Sequence, residues 1–452
     1  MSPGRRALVL VFCLTLPLVT PRIRAADEIQ YYASLRSLVL DGDLDYENEY
    51  RHFYERDPQG LEGFRDTFLL RRDPVSGRPI NFAPLGAAIL WAPFFVATHA
   101  GVLLARALGA SVLADGYSFP YLAAVSFASA LYAFLGLLLI HDLLMREGGF
   151  ADAGAALAVI ATWLGTPVVY YMTIAPGFGH APSLFAVSLL LWLALRARHR
   201  GSAAAYFLCG LAGGLAGLVR EQDALFLAFP AGLVAWELIR GGAIRVALRR
   251  GAALAAGAFL ALLPQLAAYR ALTGALGPST LVTRKMTWSS PHALEVLFDP
   301  AHGLFFWTPL AFVATAGLLT WASRRRDVVA ALLVLLLLLQ VWINGAVESW
   351  HMAGAFGARR FIAASPLFAF GVAAVLHALR LRAGTPAAAA LVAASLWWNL
   401  SLVVQFGLKL MDRQRLEWPR VAVNQVTEVP RHVLRSGWRF FSDRERLARE
   451  GP

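Results

Sequence analysis

Small groups of polar residues stand out in an otherwise apolar sequence, and each suggests its own chemistry. Asp27 and Glu28 form an acid pair able to take or deliver a proton. The stretch DGDLDYENEY, with Asp41, Asp43, Asp45, Glu47 and Glu49, has the acid spacing of a calcium loop but lacks its sixth-position glycine and twelfth-position glutamate. The commoner account is a turn leading into a helix whose first turn favours carboxylates. His180 lies between prolines in APGFGHAPS, and the run Arg220, Glu221 and Asp223 reads as a set that pairs internally. Arg284 and Lys285 occur in VTRKMTW, and His302 in DPAHGLFFWTP. The segment ESWHMAGAFGARRF carries Glu348, His351, Arg359 and Arg360. An arginine pair beside a glycine-rich turn suits an anionic phosphate.

The elements that hold these groups must be membrane helices. Hydrophobic residues make up 58% of the 452 and charged residues 15%, where soluble chains carry about a quarter charged. A soluble enzyme, a disordered chain and a disulfide scaffold are excluded. Cys13 and Cys209 sit inside apolar runs, so neither a zinc site nor a redox pair is indicated. The net charge of +12 comes in short clusters between apolar stretches, which fits the cytoplasmic ends of membrane helices rather than nucleic-acid binding.

Apolar stretches near 7–21, 85–107, 119–140, 151–171, 181–195, 203–219, 224–239, 251–268, 304–322, 328–344, 361–379 and 385–408 approach or exceed the ~17 residues a crossing needs. Alternate loops carry arginine: Arg146; Arg196, Arg198 and Arg200; Arg240, Arg245, Arg249 and Arg250; Arg324, Arg325 and Arg326; Arg380 and Arg382. These are the inner loops, and Arg5 and Arg6 put the N-terminus inside. Parity then forbids one of the first two stretches from crossing. Residues 85–107, interrupted by Pro93, His99 and Arg106, are expected to lie along or dip into the outer surface. A cleaved leader over residues 1–25 is the alternative.

The expectation is an all-α protein of about eleven transmembrane helices. Residues 1–25 form an anchor, 26–118 an external loop with interfacial helices, 119–408 the multi-helix membrane domain, and 409–452 a basic tail. That tail, expected outside, holds ten Lys or Arg against six Asp or Glu, and docking on anionic headgroups would account for its charge. By this sorting the inner loops hold arginine and little else, whereas the acids, histidines and remaining cations collect outside. Chemistry on the outer face is the consequence.

One span, a long outer loop opening on DEIQYY, a proline-led helix APLGAAILWAPF and alternating basic inner loops resemble the C-type (GT-C) membrane glycosyltransferases. These include the protein O-mannosyltransferases and bacterial aminoarabinose and lipopolysaccharide-sugar transferases. The resemblance covers roughly residues 1–380. It implies a polyprenyl-phosphate sugar donor, a lipid, glycan or protein acceptor, and a bacterial inner membrane with its active side periplasmic. It also implies Asp27 as catalytic carboxylate with Glu28 beside it, since inverting transfer needs a base on the acceptor hydroxyl. Arg359, Arg360 and Lys285 would clamp the leaving phosphate, with Arg78 in place of a lysine that some relatives put before the proline. Trp288, Trp307 and Trp350 would stack on a sugar or belong to an interfacial belt.

The chain departs from the family where many members carry a second carboxylate, having only His180 there. A divalent cation, magnesium or manganese, held by Asp27 and His180 is therefore an open cofactor assignment, as are Asp41, Asp43, Glu348 and His351 as substrate or metal contacts. Two other classes compete: a lipid or polysaccharide transporter, which would need ionisable groups mid-span and internal repeats, and an inactive scaffold of the same fold.

Overall fold

A computed structural model describes residues 1–352 and 354–442. Among them every extended regular element is helical, the one β-bridge joining Arg72 to Pro79. The chain forms two compact units, Met1–Pro17 with Leu137–Tyr170 and Thr287–Pro452, and Leu18–Gly136 with Tyr171–Met286.

The second unit holds residues 26–118, the expected external loop. Its helices are α1 (Ala26–Arg36), α2 (Glu47–Arg56) and α3 (Gly86–Ala107), held by an aromatic core. Tyr32 meets Phe53 and Phe95 edge-on, Tyr50 meets Phe64, and the Trp91 indole donates to Ser129 Oγ at 2.8 Å. Each such buried ring contributes roughly 1.5–3 kcal/mol. The unit continues through α4 (His180–Arg200), α5 (Ala203–Val219) and α6 (Ile244–Thr273). Helices α5 and α6 touch backbone to backbone: a Cβ on Gly210 would lie 2.1 Å from the Leu254 carbonyl oxygen, and one on Gly257 2.2 Å from that of Phe207. Small residues permit this approach, which gives apolar helices dense contact where lipid supplies no hydrophobic drive. It also fixes the end of α5, where Arg220 begins.

In the first unit, Ser2 Oγ and the Gly4 amide donate to Asp152, each at 2.6 Å, and Arg5 and Arg146 both pair with Asp142. The N-terminus and the Arg146 loop therefore share one end of that unit, as their charges require of inner segments.

Among the described residues, seven helical stretches are long and apolar enough to cross a membrane by length and composition: Gly86–Ala107, Phe119–Arg146, His180–Arg200, Glu221–Ile239, Ile244–Thr273, Val328–Gly345 and Arg359–Gly407. Eleven were expected; Ala203–Val219, at 17 residues, is a shorter apolar helix, and local chemistry shortens or joins the others. Residues 7–21 yield only the helix Pro3–Thr15 before a short 3-10 turn holding Pro17, and 151–171 stops at Leu164. Residues 304–322 break at Thr308, because Pro309 starts a new helix. The stretches 361–379 and 385–408 run together, meeting at Gly384, whose φ of 82° interrupts the helix. Residues 85–107, expected along the surface, form one helix through Pro93 that reaches spanning length.

Candidate functional site

Asp27 and Glu28 occupy the first turn of α1, where the helix dipole favours negative charge. Glu28 folds back on the helix start, its carboxylate accepting from the Arg24 and Ala25 amides at 3.0 Å each. This is the carboxylate half of a capping box. With 4% of its surface exposed, its pKa is pushed up to about 7, by burial first and then by the neighbouring Asp27 charge, against the pull of those two amides. Asp27 is only half-buried. The two acids read from the sequence as one catalytic pair therefore have different surroundings.

The loop APGFGHAPS packs directly on this turn. A Cβ on Gly177 would lie 2.6 Å from Ile23 Cδ1 and 3.1 Å from Glu28 Oε1, and one on Gly179 would lie 2.9 Å from the Tyr31 ring. The glycines are what let residues 175–180 reach α1. They deliver His180 to the first residue of α4, buried, with its ring stacked on Phe178 and edge-on to Tyr171.

His180 Nδ1 lies 2.9 Å from Arg220 Nη1. A guanidinium has only donors, so Nδ1 accepts and the imidazole is neutral, with its proton on Nε2. Arg220 also donates to Gln222 Oε1 at 3.2 Å. Its two acidic neighbours find other partners: fully buried Asp223 accepts from Ser183 Oγ at 2.5 Å, and Glu221 from the Tyr269 hydroxyl. Arg220 still attracts Asp223, as expected from the sequence, but the side-chain hydrogen bonds of Arg220, Glu221 and Asp223 also reach residues some forty positions away.

Gln30, one turn after Asp27, joins α1 to residues 81–85. Its side-chain oxygen accepts from the Phe82 amide at 2.8 Å, and its backbone carbonyl accepts from Asn81 Nδ2 at 3.1 Å. A shallow open cleft lies beside this junction, lined by Tyr46, Asn81, Phe82, Glu221, Gln265 and Tyr269 among others. Gln30, Tyr31, Ser183 and Tyr269 were not singled out from the sequence. Gln30 and Tyr31 lie within the DEIQYY signal, and Ser183 closes APGFGHAPS. Nothing local marks Tyr269, which sits in an apolar helix.

The remaining site candidates fall elsewhere. Asp41 accepts from Arg36 at 2.5 Å and from Asn48 at 2.7 Å; Asp43 accepts from Ser37 at 2.6 Å and from the Asp45 amide at 3.0 Å. These are turn and ion-pair contacts, and the Ser37 bond first, then the Asp45 amide, hold the Asp43 carboxyl low, with Arg78 adding a smaller pull. Arg78 is half-buried and Lys285 exposed, both in the second unit. Arg359, Arg360, Glu348 and His351 belong to the first unit. There Arg360 donates to Ser349 Oγ at 3.3 Å, and Glu348 and His351 are exposed. Buried His302 accompanies them, stacked on Trp307 with its ring nitrogen 2.7 Å from the Ala355 carbonyl.

Among the described residues no group of three or more His, Cys, Asp and Glu side chains is placed to hold a metal ion. His180 Nδ1 accepts from the Arg220 guanidinium, which places a fixed positive charge beside that imidazole.

No protein-family model matches this chain, and no curated protein does. Among solved structures it is similar to the crystal structure of ArnT from Cupriavidus metallidurans bound to undecaprenyl phosphate, at 15% identity. The match covers 98% of this chain and 77% of that one, with a TM-score of 0.46. The roles assigned below rest on this chain's own residues.

Proposed function

We propose that the protein is a membrane glycosyltransferase that moves a sugar from a polyprenyl-phosphate carrier to an acceptor hydroxyl on the outer, periplasmic face of a bacterial inner membrane. The observation that carries the reading is the division of labour at the start of α1. Glu28 is buried and capping, while half-buried Asp27 next to it stays accessible to a reactant. Asp27 is the general base that takes the proton from the acceptor hydroxyl as the carrier phosphate leaves from the opposite face of the sugar.

Glu28, neutral below about pH 7 and negative above it, positions the turn and sets the field at Asp27. His180 and Arg220, joined at 2.9 Å, supply donors and positive charge in the same unit, which suits stabilisation of a developing phosphate charge. Lys285 and Arg78 are further candidates for that task, as are Arg359 and Arg360 on their chemistry alone. The donor assignment is tested residue by residue.

The decisive experiment is transfer from a radiolabelled polyprenyl-phosphate sugar in proteoliposomes, comparing the wild type with Asp27→Asn. The substitution should lower turnover by roughly 10²–10⁴-fold without changing the melting profile. Unchanged turnover in a folded, inserted variant would remove Asp27 from the mechanism.

A further inference from the structure

The C-terminal helix Glu428–Ser442 carries three stripes of different character. Val429, His432 and Phe440 are buried or half-buried, and at helical spacing they share the face turned toward the protein. Leu434, Trp438 and Phe441 follow at i, i+4 and i+7 on another face and are exposed, Leu434 by 86% and Trp438 by 79%. Arg431, Arg435 and Arg439 repeat every four residues along the border of that apolar stripe, all three exposed. Arg431 is held by Glu428 at 3.1 Å.

Nothing in this pattern serves the chemistry proposed above, yet an exposed Leu-Trp-Phe stripe is costly in water. A helix of 15 residues with an arginine in each turn is too short and too basic to cross a bilayer. Its apolar face points away from the protein, tryptophan favours the headgroup level, and flanking arginines complement lipid phosphates.

We propose that Glu428–Ser442 lies in the interface of a membrane rich in anionic phospholipid. Leu434, Trp438 and Phe441 enter the acyl boundary, while Arg435 and Arg439 rest on headgroup phosphates. The charge of the expected basic tail over residues 409–442 thereby acquires a partner; residues 443–452 lie outside the described region.

The test uses the full chain with Cys13→Ala and Cys209→Ala, carrying a nitroxide on Leu434→Cys or Trp438→Cys. Both positions are exposed, so neither substitution opens the core. The protein is reconstituted into phosphatidylcholine vesicles with or without phosphatidylglycerol, and relaxation by oxygen is compared with relaxation by a water-soluble nickel chelate. With phosphatidylglycerol present, both labels should be open to oxygen and shielded from nickel. Arg435→Gln and Arg439→Gln should each lower the docked-to-undocked ratio about fivefold. Nickel access at both labels in anionic vesicles overturns the proposal. So does shielding that is indifferent to phosphatidylglycerol, or shielding that arrives with spin–spin broadening as protein density rises, which would mark a second copy as the occupant.

Discussion

Two acid-rich segments early in the chain, residues 27–28 and residues 41–49, look alike in the sequence and differ in what answers them. In the second, the acids face arginines and turn amides. Arg36 bridges Asp41 at 2.5 Å and Glu49 at 2.6 Å, its guanidinium lies 4.4 Å from the Tyr117 ring centre, and Glu47 is held by Arg51 and Arg72. In the first, Glu28 meets backbone amides; burial raises its pKa to about 7, as it does that of Glu49, so the two segments differ in the partner, amides here and Arg36 there. An acid cluster closed by arginines is spent on structure. One held by backbone amides beside a half-buried carboxylate is the better candidate for proton transfer.

The largest effect should separate the two segments by activity. Asp27→Asn should cost roughly 10²–10⁴ in turnover, whereas Asp43→Asn should leave turnover within about twofold, both read by sugar transfer in proteoliposomes. An equal loss in the two variants would erase the distinction. Next in size, Arg36→Met should destabilise by about 3–5 kcal/mol, because it strands the Glu49 carboxylate in a buried position. Thermal unfolding in detergent would show this, while the folded fraction keeps its specific activity. A normal melting temperature with lost activity would move Arg36 from structure to chemistry.

The third prediction concerns pH. Glu28 titrates at 4.5 in the unfolded chain and at about 7 when folded, so the folded state holds this proton more tightly. The stability it confers is fully present below pH 4.5 and is lost as pH rises through 7, a change of about 3 kcal/mol at ~1.4 kcal/mol per pH unit. Glu28→Gln, which can still accept from the Ala25 amide, should make the fall of melting temperature with pH shallower over that window, the remainder belonging to buried Glu49, whose pKa is also raised to about 7. A slope as steep as the wild type's would assign the titration elsewhere. The smallest effect is steric: Gly179→Ala puts a methyl 2.9 Å from the Tyr31 ring and should cost about 1–3 kcal/mol, with a larger loss of transfer activity than of stability if the loop positions His180.

Much of the helical content was legible because apolar runs and prolines act locally. The acidic helix start at Asp27 and Glu28 was visible for the same reason, and so was the preference for a turn over a calcium loop at Asp41–Asp45, which the Asp43 contact to the Asp45 amide explains. The crossing count was less legible. Hydropathy registers an apolar stretch but not whether the backbone stays helical through Thr308 and Pro309 or how it bends at Gly384.

By itself the sequence determined a helical, membrane-embedded chain with a carboxylate pair at a helix start and glycines flanking a histidine, since side-chain type and spacing suffice for these. Tertiary structure alone decided that Arg220 meets His180, that Asp223 meets Ser183 and that Glu221 meets Tyr269. These partners lie 40 to 48 positions apart, and no local pattern encodes such pairings. They follow from where glycine contacts let helices and loops close on one another, fixing which buried charge must be satisfied by which neighbour.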